Sequence, residues 1–225
     1  MNHVHITEIK RSKRRGIKLV IRTDASLIVR APRNCSYATI QKFVNENMGW
    51  ILRTQEVARS KYKTAPPKQY TEGETFLYLG NSYELVIGKA SSTPLTFEGQ
   101  NFILAVDHAK DVKELFRLWY KRAAYEKIAE RVNYYSSHTG IECGKVTITS
   151  ARSRWGSCSV KGNLNFSWHL IMAPLAAIDS VVVHELVHIR ERNHSAKFWK
   201  KVKALSPEYD RHKDWLKKNQ NLLSL

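Results

Sequence analysis

The segment from Pro174 to Arg192 is mostly apolar up to Ile189, yet it carries His184, Glu185 and His188. Pro174 suits the first turn of a helix. Ile178, Val181, Val182, Leu186 and Val187 then make that helix a largely buried one. Two histidines and an acid on such a helix are costly unless they have a partner. Residues four apart share one face of a helix, so His184 and His188 can hold one metal ion together. Glu185, one residue on, can reach a water on that metal, take its proton and later give it to a leaving group. Any fold for this chain must therefore bury the helix and leave room around the histidine pair.

The pattern is an HExxH sequence, which also arises by chance, and a third ligand strengthens it. His194 follows His188 by six residues, the spacing of the third ligand in the metzincin pattern HExxHxxGxxH. The chain must turn after the helix to bring His194 back. Metzincins use a glycine where this chain has Glu191; here Asn193 tolerates the left-handed conformation of a helix C-cap and is expected to make the turn. Met1, Met48 and Met172 all precede the motif, so no Met-turn follows it. Both departures argue against a true metzincin. Three histidines leave a fourth position for water, which is the catalytic rather than the structural zinc pattern.

The rest of the chain reads as a mixed α+β protein. Gly16–Arg22 and Leu27–Arg30 flank the polar turn Thr23-Asp24-Ala25-Ser26 and predict a hairpin. Ser36 caps a single helix that fades near Tyr62, before Ala65-Pro66-Pro67. Thr75–Leu79 pairs with Tyr83–Ile87 across Gly80-Asn81-Ser82, and Leu95–Phe97 with Asn101–Val106. A long helix runs from Ala109 to about Tyr135. Strands are expected at Lys145–Ser150 and Asn163–Ile171, and helices from Ser195 and over Glu208–Asn219. The reading is a compact zincin-like C-terminal domain (107–225) behind a β-rich N-terminal region (1–106) that contains one helix.

Composition narrows the class. The chain has 225 residues, 43% hydrophobic, with 10 Gly and 6 Pro, so it is neither disordered nor collagen-like. It has no apolar run long enough to span a membrane and no signal-peptide pattern, so a cytoplasmic place is expected. Cys35, Cys143 and Cys158 fit no disulfide framework, which agrees with a reducing compartment. The net charge of +17 is uneven: residues 1–70 hold 15 Lys/Arg against 4 Asp/Glu, a balance of +11. Such a region attracts polyanions, which raises nucleic acid or a nucleotide as a partner of the N-terminal part.

Other residues admit two readings. Arg152 or Arg154 could stabilise an oxyanion, and Cys158 could touch the metal; alternatively Trp155 packs, Gly156 allows a tight bend and Cys158 is a small buried hydrophobe. His169 could be a fourth ligand or a transition-state donor, or could pack within its strand. Arg154, Asn165, Ser167 and His169 are the candidate substrate-binding residues. A peptide could add along the strand Asn163–Ile171 if its edge is free.

Ser153-Arg154-Trp155-Gly156-Ser157-Cys158-Ser159, Asn165-Phe166-Ser167-Trp168-His169-Leu170, Ala173-Pro174, Val183-His184-Glu185-Leu186-Val187-His188 and Asn193-His194-Ser195 with Phe198-Trp199 closely resemble the YgjP-like metallopeptidase family. Arg11, Lys13 and Arg14, Val29-Arg30-Ala31-Pro32, Trp50-Ile51 and Tyr78-Leu79-Gly80-Asn81 are similar to its N-terminal half. The resemblance covers essentially the whole chain. It implies a compact zincin, with His184, His188 and His194 as zinc ligands and Glu185 as the catalytic glutamate. The region is also similar to SprT-like proteases, which act on proteins crosslinked to DNA. Their third histidine lies farther from the second, so that substrate is not carried over. A nucleoside-triphosphate pyrophosphatase activity has been ascribed to a YgjP-like member.

The expectation is thus a zinc metalloprotease. It holds one Zn²⁺ per chain and hydrolyses protein or peptide bonds by a Glu185-activated, metal-bound water. A metal-dependent UTP pyrophosphatase and a nucleic-acid-associated protease are the alternatives. Against the first stand the absence of a Walker A loop and of a carboxylate-rich magnesium site.

Overall fold

The computed structural model describes residues 4–13, 15–22, 25–64, 67–89, 92–105 and 111–225. The chain forms two compact units, Met1–Pro67 and Lys68–Leu225. It is an α+β protein with three small sheets. No helix among the described residues is long and apolar enough to cross a membrane.

In the first unit, strands β1 (Ile6–Ser12), β2 (Lys18–Ile21) and β3 (Leu27–Pro32) form a sheet in the order β1-β3-β2. β2 and β3 pair antiparallel as expected, and β1 joins β3 in parallel. Thr23 and Asp24 of the expected turn lie outside the described residues. Alternation along β3 turns Leu27, Val29 and Ala31 to one face, where Ile40, Val44 and Ile51 bury them. Further along, Lys10, Arg30 and Lys18 stand abreast on the three strands, all exposed. Part of the basic balance of this region gathers there.

The single helix expected after Ser36 is two helices, α1 (Tyr37–Glu46) and α2 (Met48–Thr64). Ser36 caps α1 by accepting from the Thr39 N–H at 3.1 Å. The break falls at Asn47, whose side-chain amide donates to the Phe43 carbonyl at 2.8 Å. A side chain that satisfies the last turn of α1 competes with continuing the helix.

In the second unit, β4 (Thr75–Tyr78), β5 (Asn81–Gly88), β6 (Leu95–Glu98) and β7 (Asn101–Ala105) form a sheet in the order β4-β5-β7-β6. The first hairpin turns at Leu79-Gly80, both at positive φ, rather than at Gly80-Asn81-Ser82. Two residues at positive φ give a turn whose twist matches the strands. Helix α3 (Val112–Thr139) packs on this sheet, with Phe76 and Phe116 stacked 4.1 Å apart. The division expected between residues 106 and 107 falls outside the described residues. Phe76, Phe102, Phe116 and Tyr120, from both sides of it, share one core within the second unit.

The third sheet positions the site. Strands β8 (Val146–Thr149), β9 (Gly156–Cys158) and β10 (Leu164–Ser167) lie in the order β8-β10-β9. The expected long strand Asn163–Ile171 ends at Ser167, and Trp168–Met172 is a buried 3₁₀ turn. β10 is central and paired on both sides, so it has no free edge for a peptide. The edges are β8 and β9, and β9 is a strand too short and too small in its side chains to show a period. Helices α4 (Leu175–Arg190), α5 (Ala196–Leu205) and α6 (Tyr209–Asn219) complete the unit.

Candidate metal centre

Helix α4 is apolar nearly all round, and a helix of that kind is stable only when buried. Val183 and Val187 pack against Phe198 and Val202 of α5 and Tyr209 of α6. The chain leaves α4 at Glu191 in an extended conformation, φ −123° and ψ 97°. Asn193 is not among the positive-φ residues, so the left-handed turn expected there is absent. Side chains fix the exit instead. The Glu191 carboxylate pairs with Lys201 at 2.6 Å and Lys197 at 3.0 Å, and Arg192 donates to the Val160 carbonyl at 2.8 Å. Ser195 then caps α5 by accepting from the Phe198 N–H.

This path returns His194 to α4. The Nε2 atom of His184 lies 3.2 Å from Nε2 of His188 and 3.2 Å from Nε2 of His194. The three could hold a metal ion, their ligand atoms all within 4.8 Å of one another. The opposite nitrogens of two rings are fixed. His188 Nδ1 donates to the Glu191 carbonyl at 3.1 Å, which leaves its Nε2 lone pair free. His184 Nδ1 meets the Tyr209 hydroxyl at 3.0 Å. Tyr209 lies 25 residues from His184, and nothing in the sequence spacing singles it out. Phe198 and Trp199 wall the cluster: Phe198 touches all three rings and Trp199 stacks on His194 at 5.4 Å.

The electrostatics favour neutral rings at His184 and His188. Burial lowers His184 to about 3, with further lowering by His188, His194 and Lys213. Burial also lowers His188, partly opposed by its bond to Glu191. Neutral imidazoles present lone pairs to a cation at neutral pH without first losing a proton. Three converging imidazole nitrogens, two with their outer nitrogens held, thus fit one divalent cation.

Glu185 is 6% exposed, and burial raises its carboxyl to about 7, against the lowering effect of Arg154. It lies against Gly156 of β9. A Cβ at that position would stand 2.6 Å from Glu185 Cγ and 2.7 Å from Oε1. Gly156 is small because the carboxylate needs the space, rather than for a tight bend.

The structure gathers three of the four expected substrate-binding residues. Arg154, Asn165 and Ser167 line one cavity together with Thr149, Ser157 and Gly156. His169 is elsewhere. It is 3% exposed in the 3₁₀ turn, stacked on Trp168 at 3.7 Å, and its burial lowers it to about 4. Cys158 lies outside the histidine group, its thiol raised by burial and by the nearby Glu185.

Comparison with known proteins places this arrangement in a class of metallopeptidases. Residues 15–219 match the YgjP-like metallopeptidase domain, and the chain belongs to that family. It is also similar to the crystal structure of the metallopeptidase zymogen of Pyrococcus abyssi abylysin, at 21% identity and a TM-score of 0.38, over 41% of this chain and 95% of that one. No curated protein matches the chain.

Proposed function

We propose that the protein is a zinc peptidase whose metal is held by His184, His188 and His194 and whose general base and acid is Glu185. The observation that carries this reading is the convergence of the three Nε2 atoms, two of them from the helix that also carries the buried Glu185. Three imidazole ligands suit zinc better than magnesium, which prefers oxygen ligands. Zinc in that position would supply Lewis acidity, lowering the pKa of a water and polarising a carbonyl. Glu185 accepts the proton of the attacking water on a carboxylate oxygen. As the C–N bond of the peptide breaks, it passes that proton to the departing amine nitrogen. A base with a pKa near the working pH can do both.

The peptide lies along β9. Trp155 and Ser159 bond towards β10, through Ser167 N–H to Trp155 O at 2.8 Å and Ser159 N–H to Asn163 O at 2.9 Å. By alternation, Gly156 and Cys158 present their N–H and C=O groups on the open side. A substrate strand added there runs past Gly156 and therefore past Glu185.

The test measures zinc content, casein cleavage and UTP hydrolysis in parallel for wild type, Glu185→Ala and His188→Ala. About one zinc per chain is expected in wild type and Glu185→Ala, with the metal lost in His188→Ala. Casein cleavage should vanish in Glu185→Ala. Zinc without proteolysis, alongside Glu185-dependent UTP hydrolysis, would replace this reading with a pyrophosphatase.

A further inference from the structure

The cavity on the third sheet lies on the face opposite Glu185. Phe166 and Leu164 of β10 turn to one face and are fully buried, whereas Asn165, half-buried, and Ser167, buried, alternate to the other face and line the cavity. Ser157 is the register partner of Asn165, so it shares that outer face. Thr149, at the end of β8, and Arg154, just before β9, close the sides. The volume is ≈ 190 Å³. For scale, an apolar cavity of about 150 Å³ accepts a benzene molecule, so a side chain fits here.

The lining is polar and offers donors, beside the Asn165 carbonyl oxygen as an acceptor. The Ser167 hydroxyl donates to the Ala151 carbonyl at 2.7 Å, and that of Thr149 to the Phe166 carbonyl at 3.3 Å. The Asn165 amide donates to Ser157 Oγ at 3.4 Å, which leaves the Ser157 proton and the second Asn165 hydrogen free to point into the cavity. Among the described residues, Arg154 brings the only formal charge in the lining. Among the described residues it makes no ion pair. No carboxylate lines the cavity.

We infer that this cavity is a specificity pocket for an acidic side chain of the substrate, with its carboxylate held by Arg154, Ser157 and Asn165. The inference rests on the peptidase reading above. A strand bonded to Gly156 and Cys158 has a residue opposite Ser157. Directly opposed residues turn their side chains to the same face, so that residue reaches the outer face where Arg154 waits. A guanidinium and two neutral donors match the two oxygens of a carboxylate. A basic side chain there would face Arg154 with like charge.

The experiment uses zinc-loaded full-length protein and quenched fluorescent peptides that differ at one position only, carrying Glu, Gln or Lys. Rates are measured on wild type, and dissociation constants on Glu185→Gln, which leaves the peptide uncut. The Glu peptide should exceed the Gln peptide by about tenfold or more in kcat/KM and in affinity, the range of a charge-assisted hydrogen bond. Arg154→Gln should abolish that ratio and Arg154→Lys should retain part of it. Asn165→Asp, which puts a carboxylate in the pocket, should turn the preference towards Lys. Equal cleavage of Glu and Gln peptides at every position would end the pocket assignment and leave the peptidase reading standing. Arg154-dependent binding of the Glu peptide with no cleavage of any peptide would uphold the pocket and end the peptidase reading. Arg154-dependent binding of inorganic phosphate or UTP, without binding of the Glu peptide, would reassign the pocket to phosphate and overturn the inference.

Discussion

The two faces of the β8-β10-β9 sheet carry different kinds of residue. On the inner face, Leu164 and Phe166 are fully buried, and Gly156 leaves just enough room for Glu185. On the outer face, the same strands present Ser157, Asn165 and Ser167 around a cavity with one arginine. One residue of shift along a strand exchanges the faces. A sheet of three short strands can thus press on a buried carboxylate on one side and offer a polar pocket on the other. The inner face tolerates little change, because Leu164, Phe166 and Gly156 leave no spare room there. The outer face is mixed: Ser157 and Asn165 are half-buried, while Ser167 is buried and bonded to the Ala151 carbonyl.

Phe166→Ala on the inner face should cost about 3–5 kcal/mol of stability in denaturant unfolding. A loss under about 1 kcal/mol would mean that Phe166 does not anchor this sheet.

Glu185 gives the next largest effect. Its folded pKa of about 7 stands above the ordinary value of 4.5, so the native state holds the proton more tightly than the unfolded chain. That contribution to stability is present below pH 4.5 and is lost as the pH rises through 7. In metal-free protein, Glu185→Gln should therefore gain on wild type between pH 4.5 and 7, reaching about 3 kcal/mol at pH 8. A gap that does not change with pH would show that the carboxylate is not held in a dry site.

Gly156→Ala tests the space between β9 and α4. Its Cβ would displace the Glu185 carboxylate, and kcat should fall about 100-fold with zinc content kept. Unchanged kcat would place the working carboxylate elsewhere. Tyr209→Phe removes the partner of His184 Nδ1, and zinc affinity by competition with a chelator should fall about tenfold. Thr147→Ala, in register with Asn165 on β8, sharpens the contrast between faces: it should cost about 1 kcal/mol or less.

Much of this was legible in the sequence, and the parts that were not share a cause. The helix of the HExxH motif, the caps at Ser36 and Ser195 and the paired strands β2 and β3 follow from local periods and local hydrogen bonds. His194 was reached by spacing alone. The residues that hold it in place were not, because Glu191 works through Lys197 and Lys201, and Arg192 through Val160. Those bonds exist only once α5 and the β9–β10 turn are packed. Tyr209 escaped for the same reason. β9 has three small residues and no alternation, so its role as a sheet edge is visible only through its pairing with β10. Gly156 was read as a bend because its true neighbour, Glu185, lies 29 residues on.

The central claim is that one zinc ion is held by three imidazoles beside Glu185. Anomalous diffraction at the zinc edge from crystals of zinc-loaded protein tests it most directly. The account predicts one peak per chain, about 2.0–2.1 Å from Nε2 of His184, His188 and His194. A zinc peak bound by other residues, or none at this cluster in fully loaded protein, would contradict it.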